Sequence, residues 1–91
     1  MDKAIAIAEQ AIAFLESIEG AERTQGIRAA ANLRDTLSKV AANREAALSE
    51  LQYGLSGKAV LDWQWSTETF ARLDVLCSEY YVQWAKGHAA T

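Results

Sequence analysis

The sequence predicts an all-α fold, a small helical bundle in which an antiparallel helix hairpin is closed by an aromatic-rich C-terminal helix. Three observations lead to this prediction. The 91 residues include no proline, the residue that most strongly breaks helices. Apolar residues recur at spacings of three and four along most of the chain, which is the period of an α-helix. Seven of the eight aromatic residues lie between Tyr53 and Trp84, whereas the first fifty residues contain thirteen alanines.

The first helix is expected over about residues 2–19 of a single helical domain that spans residues 1–91. Two neighbouring apolar rows mark it: Ile5, Ala8, Ile12 and Leu15, and beside them Ile7, Ala11, Phe14 and Ile18. At ~100° per residue these rows cover about half of the helix surface, so the helix should contact two neighbours. Gly20 then follows as a C-terminal cap.

The second helix is expected over about residues 24–53, with Gly54 and Gly57 ending it. One apolar stripe defines it: Ala30, Leu33, Leu37, Val40, Ala41, Ala47, Leu48 and Leu51. A continuous helix of this extent would be ~46 Å long at 1.5 Å per residue, much longer than the first helix. A bend or break near Asn43 is therefore an alternative that the stripe leaves open.

The stretch between these glycines and the last helix has two interpretations. A short helix over about residues 57–64 is favoured, because a lone strand would have nothing to pair with. The alternation of Leu61, Trp63 and Trp65 would suit an extended segment equally well.

The last helix is expected over about residues 67–86, capped by Ser66 or Thr67 and stopped by Gly87. Its stripe comprises Phe70, Leu73, Cys77, Tyr80 and Trp84, widened by Leu76 and Tyr81. Combining the stripes, we expect a core that includes Ile5, Ile12, Leu15, Leu33, Leu37, Leu51, Leu73 and Tyr80.

Charge is divided between the two helices of the hairpin. Residues 1–22 carry five acidic side chains and one basic one, and residues 23–44 carry five basic and one acidic. Antiparallel neighbours would place these segments side by side, which favours the hairpin register. The formal net charge is −3 and the pI about 5.0, a balance that disfavours a nucleic-acid partner.

The residue types that carry catalysis or bind metals are scarce. Cys77 and His88 are the only residues of their kind, and the isolated Cys77 on an apolar stripe is typical of a small core residue. Glu9 and Glu16 lie seven apart on an outward face, as solvated carboxylates do. We therefore expect no enzymatic activity, no catalytic residues, no metal and no cofactor.

A single cysteine forms no intrachain disulfide, which fits a reducing compartment. The N-terminal residues lack the basic start and unbroken apolar run of a secretory signal. No segment approaches the ~18 apolar residues of a membrane span. The sequence thus predicts a cytoplasmic protein without a membrane partner.

Arg44 lies on the same helical stripe as Leu37, Leu48 and Leu51, where an unpaired charge would be costly to bury. Three interpretations remain open. The helix breaks near Asn43 and exposes Arg44, Arg44 extends past the end of the first helix to reach water, or it meets a carboxylate of a partner.

The aromatic residues of the C-terminal region exceed what a small core requires. Trp63 and Trp65 would point apart in a helix, and Tyr81 and Trp84 adjoin the stripe that holds Tyr80. Trp and Tyr are enriched at binding hot spots because they bury large areas with few rotatable bonds. Each ring taken singly also suits a core position. We predict Trp63, Trp65, Tyr81 and Trp84 as partner-binding residues, with Arg44 as a charged contact.

These observations favour a small, non-enzymatic protein that binds a larger protein through its aromatic C-terminal surface, as an inhibitor or adaptor of the immunity or phage anti-defence type. Two alternatives stay open. The wide face of the first helix, with Val75 and Val82, would also suit a homo-oligomeric structural protein. A small apolar ligand lodged among the aromatics is the other.

Overall fold

The computed structural model describes residues 3–55 and 60–89 of the chain. Four α-helices and two 3₁₀ turns occur in this part, in chain order α1 (Lys3–Ser17), a turn at Gly20–Glu22, α2 (Arg23–Ser38), a turn at Lys39–Ala41, α3 (Arg44–Leu55) and α4 (Thr67–Ala89). The described residues contain no strand. The predicted all-α fold is confirmed.

The four helices form a small bundle in which α1 and α3 each pack against α2 and α4 and also touch each other. The wide apolar face of α1 therefore contacts two neighbours, as its two apolar rows predict. The largest fully buried side chains lie at the centre of this arrangement: Leu15, Leu51, Leu55, Leu73, Leu76 and Tyr80.

Six of the eight expected core residues are buried: Ile12, Leu15, Leu33, Leu51, Leu73 and Tyr80. Ile5 and Leu37 are only partly buried and pack against the edge of the core. Ile5 lies in the first turn of α1 and Leu37 in the last turn of α2, where fewer neighbouring helices surround a side chain.

The α1–α2 hairpin turns at Gly20, whose φ of 79° is a left-handed conformation that a side chain would strain. α1 ends at Ser17, slightly before the predicted boundary. Along the hairpin, Arg34 Nη2 lies 2.8 Å from both carboxylate oxygens of Glu16, so one of the predicted cross-helix charge pairs forms. Both side chains are exposed, and the pair contributes little stability.

Gly26 allows a close approach between α1 and α2. A Cβ atom at this position would lie 2.5 Å from the backbone oxygen of Leu15, well inside contact distance. The backbones of the two helices are therefore closer here than a side chain on α2 would permit.

The prediction of one continuous helix over residues 24–53 is wrong, because the helix is interrupted between Ser38 and Arg44. The 3₁₀ turn at Lys39–Ala41 ends α2, and Asn43 then starts α3. The side-chain oxygen Oδ1 of Asn43 accepts a hydrogen bond of 3.2 Å from the backbone N–H of Ala46. This bond caps the first turn of α3, so the local chemistry of Asn43 interrupts an otherwise continuous apolar stripe.

The expected short helix over residues 57–64 lies partly outside the described residues, and residues 60–64 are not helical. Val60 and Leu61 instead form a turn, and both side chains are buried in the core. The burial of these two side chains anchors the segment that leads into α4.

α4 begins as the sequence predicts and ends later. Ser66 precedes it and its Oγ accepts a bond of 3.3 Å from the backbone N–H of Thr69, the arrangement of a helix N-cap. Glu22 reinforces this start, since its carboxylate accepts a hydrogen bond of 3.0 Å from the hydroxyl of Thr69. Gly87 does not stop the helix, which continues to Ala89.

Candidate interaction surface

Residues 60–66, the described part of the α3–α4 connection, are held in place by short hydrogen bonds. The backbone N–H of Val60 donates to the oxygen of Gly54 at 2.9 Å. The indole Nε1 of Trp65 then donates to the oxygen of Val60, also at 2.9 Å. The connection is therefore attached to the end of α3 and braced by the ring of Trp65.

Trp63 and Trp65 have different environments, although only one residue separates them. The ring of Trp65 is half-buried against the core, whereas Trp63 is 49% exposed. The two rings meet edge to face, with centroids 6.4 Å apart and planes at 66°. Trp65 thus supports Trp63 from below, and Trp63 presents its free surface to solvent.

Tyr81 and Trp84 form a second pair on α4. Trp84 is partly buried against the core, and Tyr81 is 49% exposed. Their ring centroids are 6.1 Å apart and their planes are tilted by 39°. In each pair, therefore, one predicted site residue is a supporting ring and the other is accessible.

The exposed rings line different grooves. Tyr81 belongs to the α4 groove, a depression of about 340 Å³ lined by Leu55, Leu61, Asp74, Cys77, Ser78, Tyr81 and Val82. Trp63 belongs to the α2–α3 groove. Asn32 and Leu33 of α2 and Gly54 of α3 line this groove, together with Val60, Asp62 and Trp63 of the α3–α4 connection. Val60 lines the α2–α3 groove and Leu61 lines the α4 groove, so the turn that these two residues form adjoins both grooves.

Tyr53 is an accessible aromatic residue that the predicted site did not include. It is 72% exposed on α3 and lines the α2–α3 groove beyond Gly54. A signal for it was present in the sequence, because Tyr53 falls outside the stripe of Leu48 and Leu51 and so points away from the core.

Arg44 is exposed at the first position of α3, directly after the break at Asn43. Of the three interpretations of this residue, the one in which a helix break places it in solvent agrees with the structure. Arg44 lines neither groove.

Cys77 and Tyr80 are the buried titratable residues next to the α4 groove. Burial raises the pKa of the Cys77 thiol to about 12, and the negative charge of Asp74 adds to the effect. Burial also raises the pKa of Tyr80, whose hydroxyl donates a hydrogen bond of 2.8 Å to the oxygen of Leu48. Both groups are protonated at neutral pH, and the thiol is a poor nucleophile in that form.

Among the described residues, no group of three or more His, Cys, Asp and Glu side chains is arranged to hold a metal ion. No helix in the same part of the chain combines the length and apolar character required to cross a bilayer. Comparison with protein-family models, curated proteins and solved structures gives no significant match to this chain.

Proposed function

We propose that this protein is a cytoplasmic, non-enzymatic inhibitor or adaptor that binds a larger protein through the surface that includes the α3–α4 connection and the adjoining α4 groove. The exposure of Trp63 in the connection and of Tyr81 on α4, each of which lines a groove, is the observation that carries the proposal. Large aromatic side chains beside apolar depressions are the usual anchors of protein interfaces.

The support beneath these rings strengthens the argument. Trp63 rests on Trp65, which is fixed by its hydrogen bond to Val60, and Tyr81 rests on Trp84. A ring that is already held in one orientation loses less conformational entropy when a partner covers it. Trp65 and Trp84 thus act as supporting residues, and Trp63 and Tyr81 as direct contacts. Arg44, exposed on α3, is proposed as a charged contact outside the grooves.

The proposal is tested by cross-linking the protein in cell extract, identifying the captured protein and measuring its affinity with purified components. We expect Trp63→Ala and Tyr81→Ala each to weaken binding by at least about tenfold, the equivalent of ~1.4 kcal/mol. Ile27→Ala is the matched control, because Ile27 is a comparably exposed apolar residue that lines neither groove. Equal affinities for all three variants, with unchanged helicity, would refute the proposal.

Self-association is the second candidate, and one observation favours it. Val75 and Val82 are both exposed, lie seven residues apart and therefore share a face of α4. A second copy could cover this row. Light scattering over a hundredfold concentration range tests the idea: a dimer that dissociates on dilution and is lost in a Val75→Glu variant would favour it, and a monomer throughout would exclude it.

A further inference from the structure

The α2–α3 groove is longer than either of its two hollows. The hollow of about 150 Å³ next to Trp63 and the hollow of about 350 Å³ next to Tyr53 share Asn32, Leu33 and Gly54. Together they extend along α2 from Gln25 to Thr36, a distance of ~16 Å at 1.5 Å per residue. The α2–α3 groove therefore has an aromatic ring near each end, Trp63 at one and Tyr53 at the other.

The floor of this groove is apolar and lies close to the backbone of α3. Leu33 and Val60 are buried beneath it. A Cβ atom on Gly54 would contact the Cδ2 atom of Leu33 at 3.4 Å, so the glycine leaves the floor open at its centre. An apolar side chain of an occupant fits this position.

The charges along the groove are negative. Asp62 and Glu50 line it, and no lysine or arginine is among the described lining residues. Asp62 makes no hydrogen bond or ion pair with any described residue. Glu50 lies 3.7 Å from Lys39 in an exposed pair, which water and salt screen. A cationic side chain beside Asp62 would complement this charge.

Gln25 and Asn32 project amides into the same groove. Neither side-chain amide forms a hydrogen bond within the described part of the protein. Each offers both a donor and an acceptor, the pair that a peptide group requires. An extended peptide has free peptide groups to satisfy, whereas a helical peptide bonds its own backbone internally. The unused amides therefore favour an extended occupant.

We propose that the α2–α3 groove binds an extended segment of about five residues from a partner protein, carrying a lysine or arginine next to an apolar residue. Five extended residues at ~3.3 Å each match the ~16 Å length of the groove. The apolar side chain lies over Leu33 against Trp63, and the cation lies beside Asp62. This inference rests on the proposed function and specifies the chemistry of the partner.

The test begins with selection of linear nine-residue peptides from a random displayed library on the intact protein. We expect enriched peptides that pair a basic with an apolar residue. Titration of one such peptide into isotopically labelled protein should shift the side-chain NH₂ signals of Gln25 and Asn32 and the indole signal of Trp63, and leave the indole signal of Trp84 in place.

Variants and modified peptides sharpen the test. Asn32→Ala and Asp62→Asn change exposed side chains and should each weaken the peptide at least about tenfold, while Ile27→Ala leaves its affinity unchanged. N-methylation of alternate peptide nitrogens should abolish binding for one set and spare the other, because an extended chain turns only every second N–H toward the protein. Loss of binding with both sets, as a helix would show, contradicts the inference.

Enrichment of acidic peptides, failure to enrich any peptide, or peptide affinities unaffected by Asn32→Ala would each overturn the inference that this groove binds an extended basic segment.

The proposed function is contradicted by different results. If Tyr81→Ala abolishes capture of the partner protein while Asn32→Ala does not, the partner docks outside this groove. If the groove binds peptides and both Trp63→Ala and Tyr81→Ala leave partner capture intact, the proposed docking surface is wrong.

Discussion

The hydroxyl of Thr69 donates a hydrogen bond of 3.0 Å to Oε1 of Glu22, so the first turn of α4 is attached to the start of α2. The other carboxylate oxygen of Glu22 accepts the backbone N–H of Ser66 at 2.5 Å. The carboxylate of Glu22 thus holds the N-cap residue of α4, Ser66, which lies 44 residues later in the sequence.

This attachment makes stability depend on acidity. The hydrogen bond from the backbone of Ser66 is the main cause that lowers the pKa of Glu22 below its ordinary value of 4.5. Because the folded pKa is the lower one, the stabilisation is complete above pH 4.5 and is lost as the pH falls through the folded pKa. Thermal unfolding of the native protein and of Glu22→Gln, from pH 7 to pH 3, should show a difference that shrinks below about pH 4.5. A constant difference would contradict the assignment.

The hydrogen bond between Tyr80 and the oxygen of Leu48 links α4 to α3 inside the core. Tyr80→Phe keeps the ring and removes only the hydroxyl, so we expect a loss of about 0.5–1.5 kcal/mol in the free energy of unfolding. Urea unfolding measures the change. Tyr81→Phe is the control, since the exposed hydroxyl of Tyr81 has no partner among the described residues, and it should leave stability unchanged.

Two glycines in helices should respond to alanine with opposite signs. Gly26→Ala destabilises, because its Cβ would lie 2.5 Å from the Leu15 backbone oxygen and would push α1 and α2 apart. Gly87→Ala has open space around the new atom and should stabilise α4 by up to about 1 kcal/mol through helix propensity. Melting temperatures of the two variants decide the matter. Stabilisation by both substitutions would contradict the close approach of the α1 and α2 backbones at Gly26.

Asn43 caps α3 through its bond to Ala46. We expect Asn43→Ala to reduce stability by about 0.5–2 kcal/mol, and Asn43→Asp to retain most of it because aspartate is an equally good N-cap. Chemical denaturation of the three proteins provides the comparison. An alanine variant as stable as the native protein, with more helix by circular dichroism, would indicate that α2 and α3 can merge into one helix.

The hairpin and the closing helix follow from the sequence because amphipathic periodicity and burial agree in them. The break at Asn43 does not, since Leu37, Val40 and Ala47 continue the apolar stripe across it. A capping side chain, Asn43, acts there, and an N-cap contributes only ~1 kcal/mol to helix stability. The spacing of apolar residues therefore does not predict whether the helix continues through Asn43 or ends before it.

The candidate site is predictable only in part. The sequence predicts Trp63 and Tyr81 as partner-binding residues because large aromatic residues exceed what the core requires, and both side chains are exposed. It does not separate Trp63 from Trp65, because the burial of Trp65 depends on its hydrogen bond to Val60 in a turn that lacks a regular period. The attachment of Glu22 to Ser66 and Thr69 likewise depends on a contact between distant segments, which no spacing along the chain reveals.

The packing of α1 against both α2 and α4 has a consequence for synthesis on the ribosome. At ~5–20 residues per second, the residues between the end of α3 at Leu55 and the end of α4 at Ala89 take roughly 2–7 s to be made. During that interval Leu15 and Leu51 lack the part of their shared hydrophobic core that α4 supplies, Tyr80 included. The nascent chain therefore exposes an apolar face until α4 has emerged, and such a face is prone to aggregation.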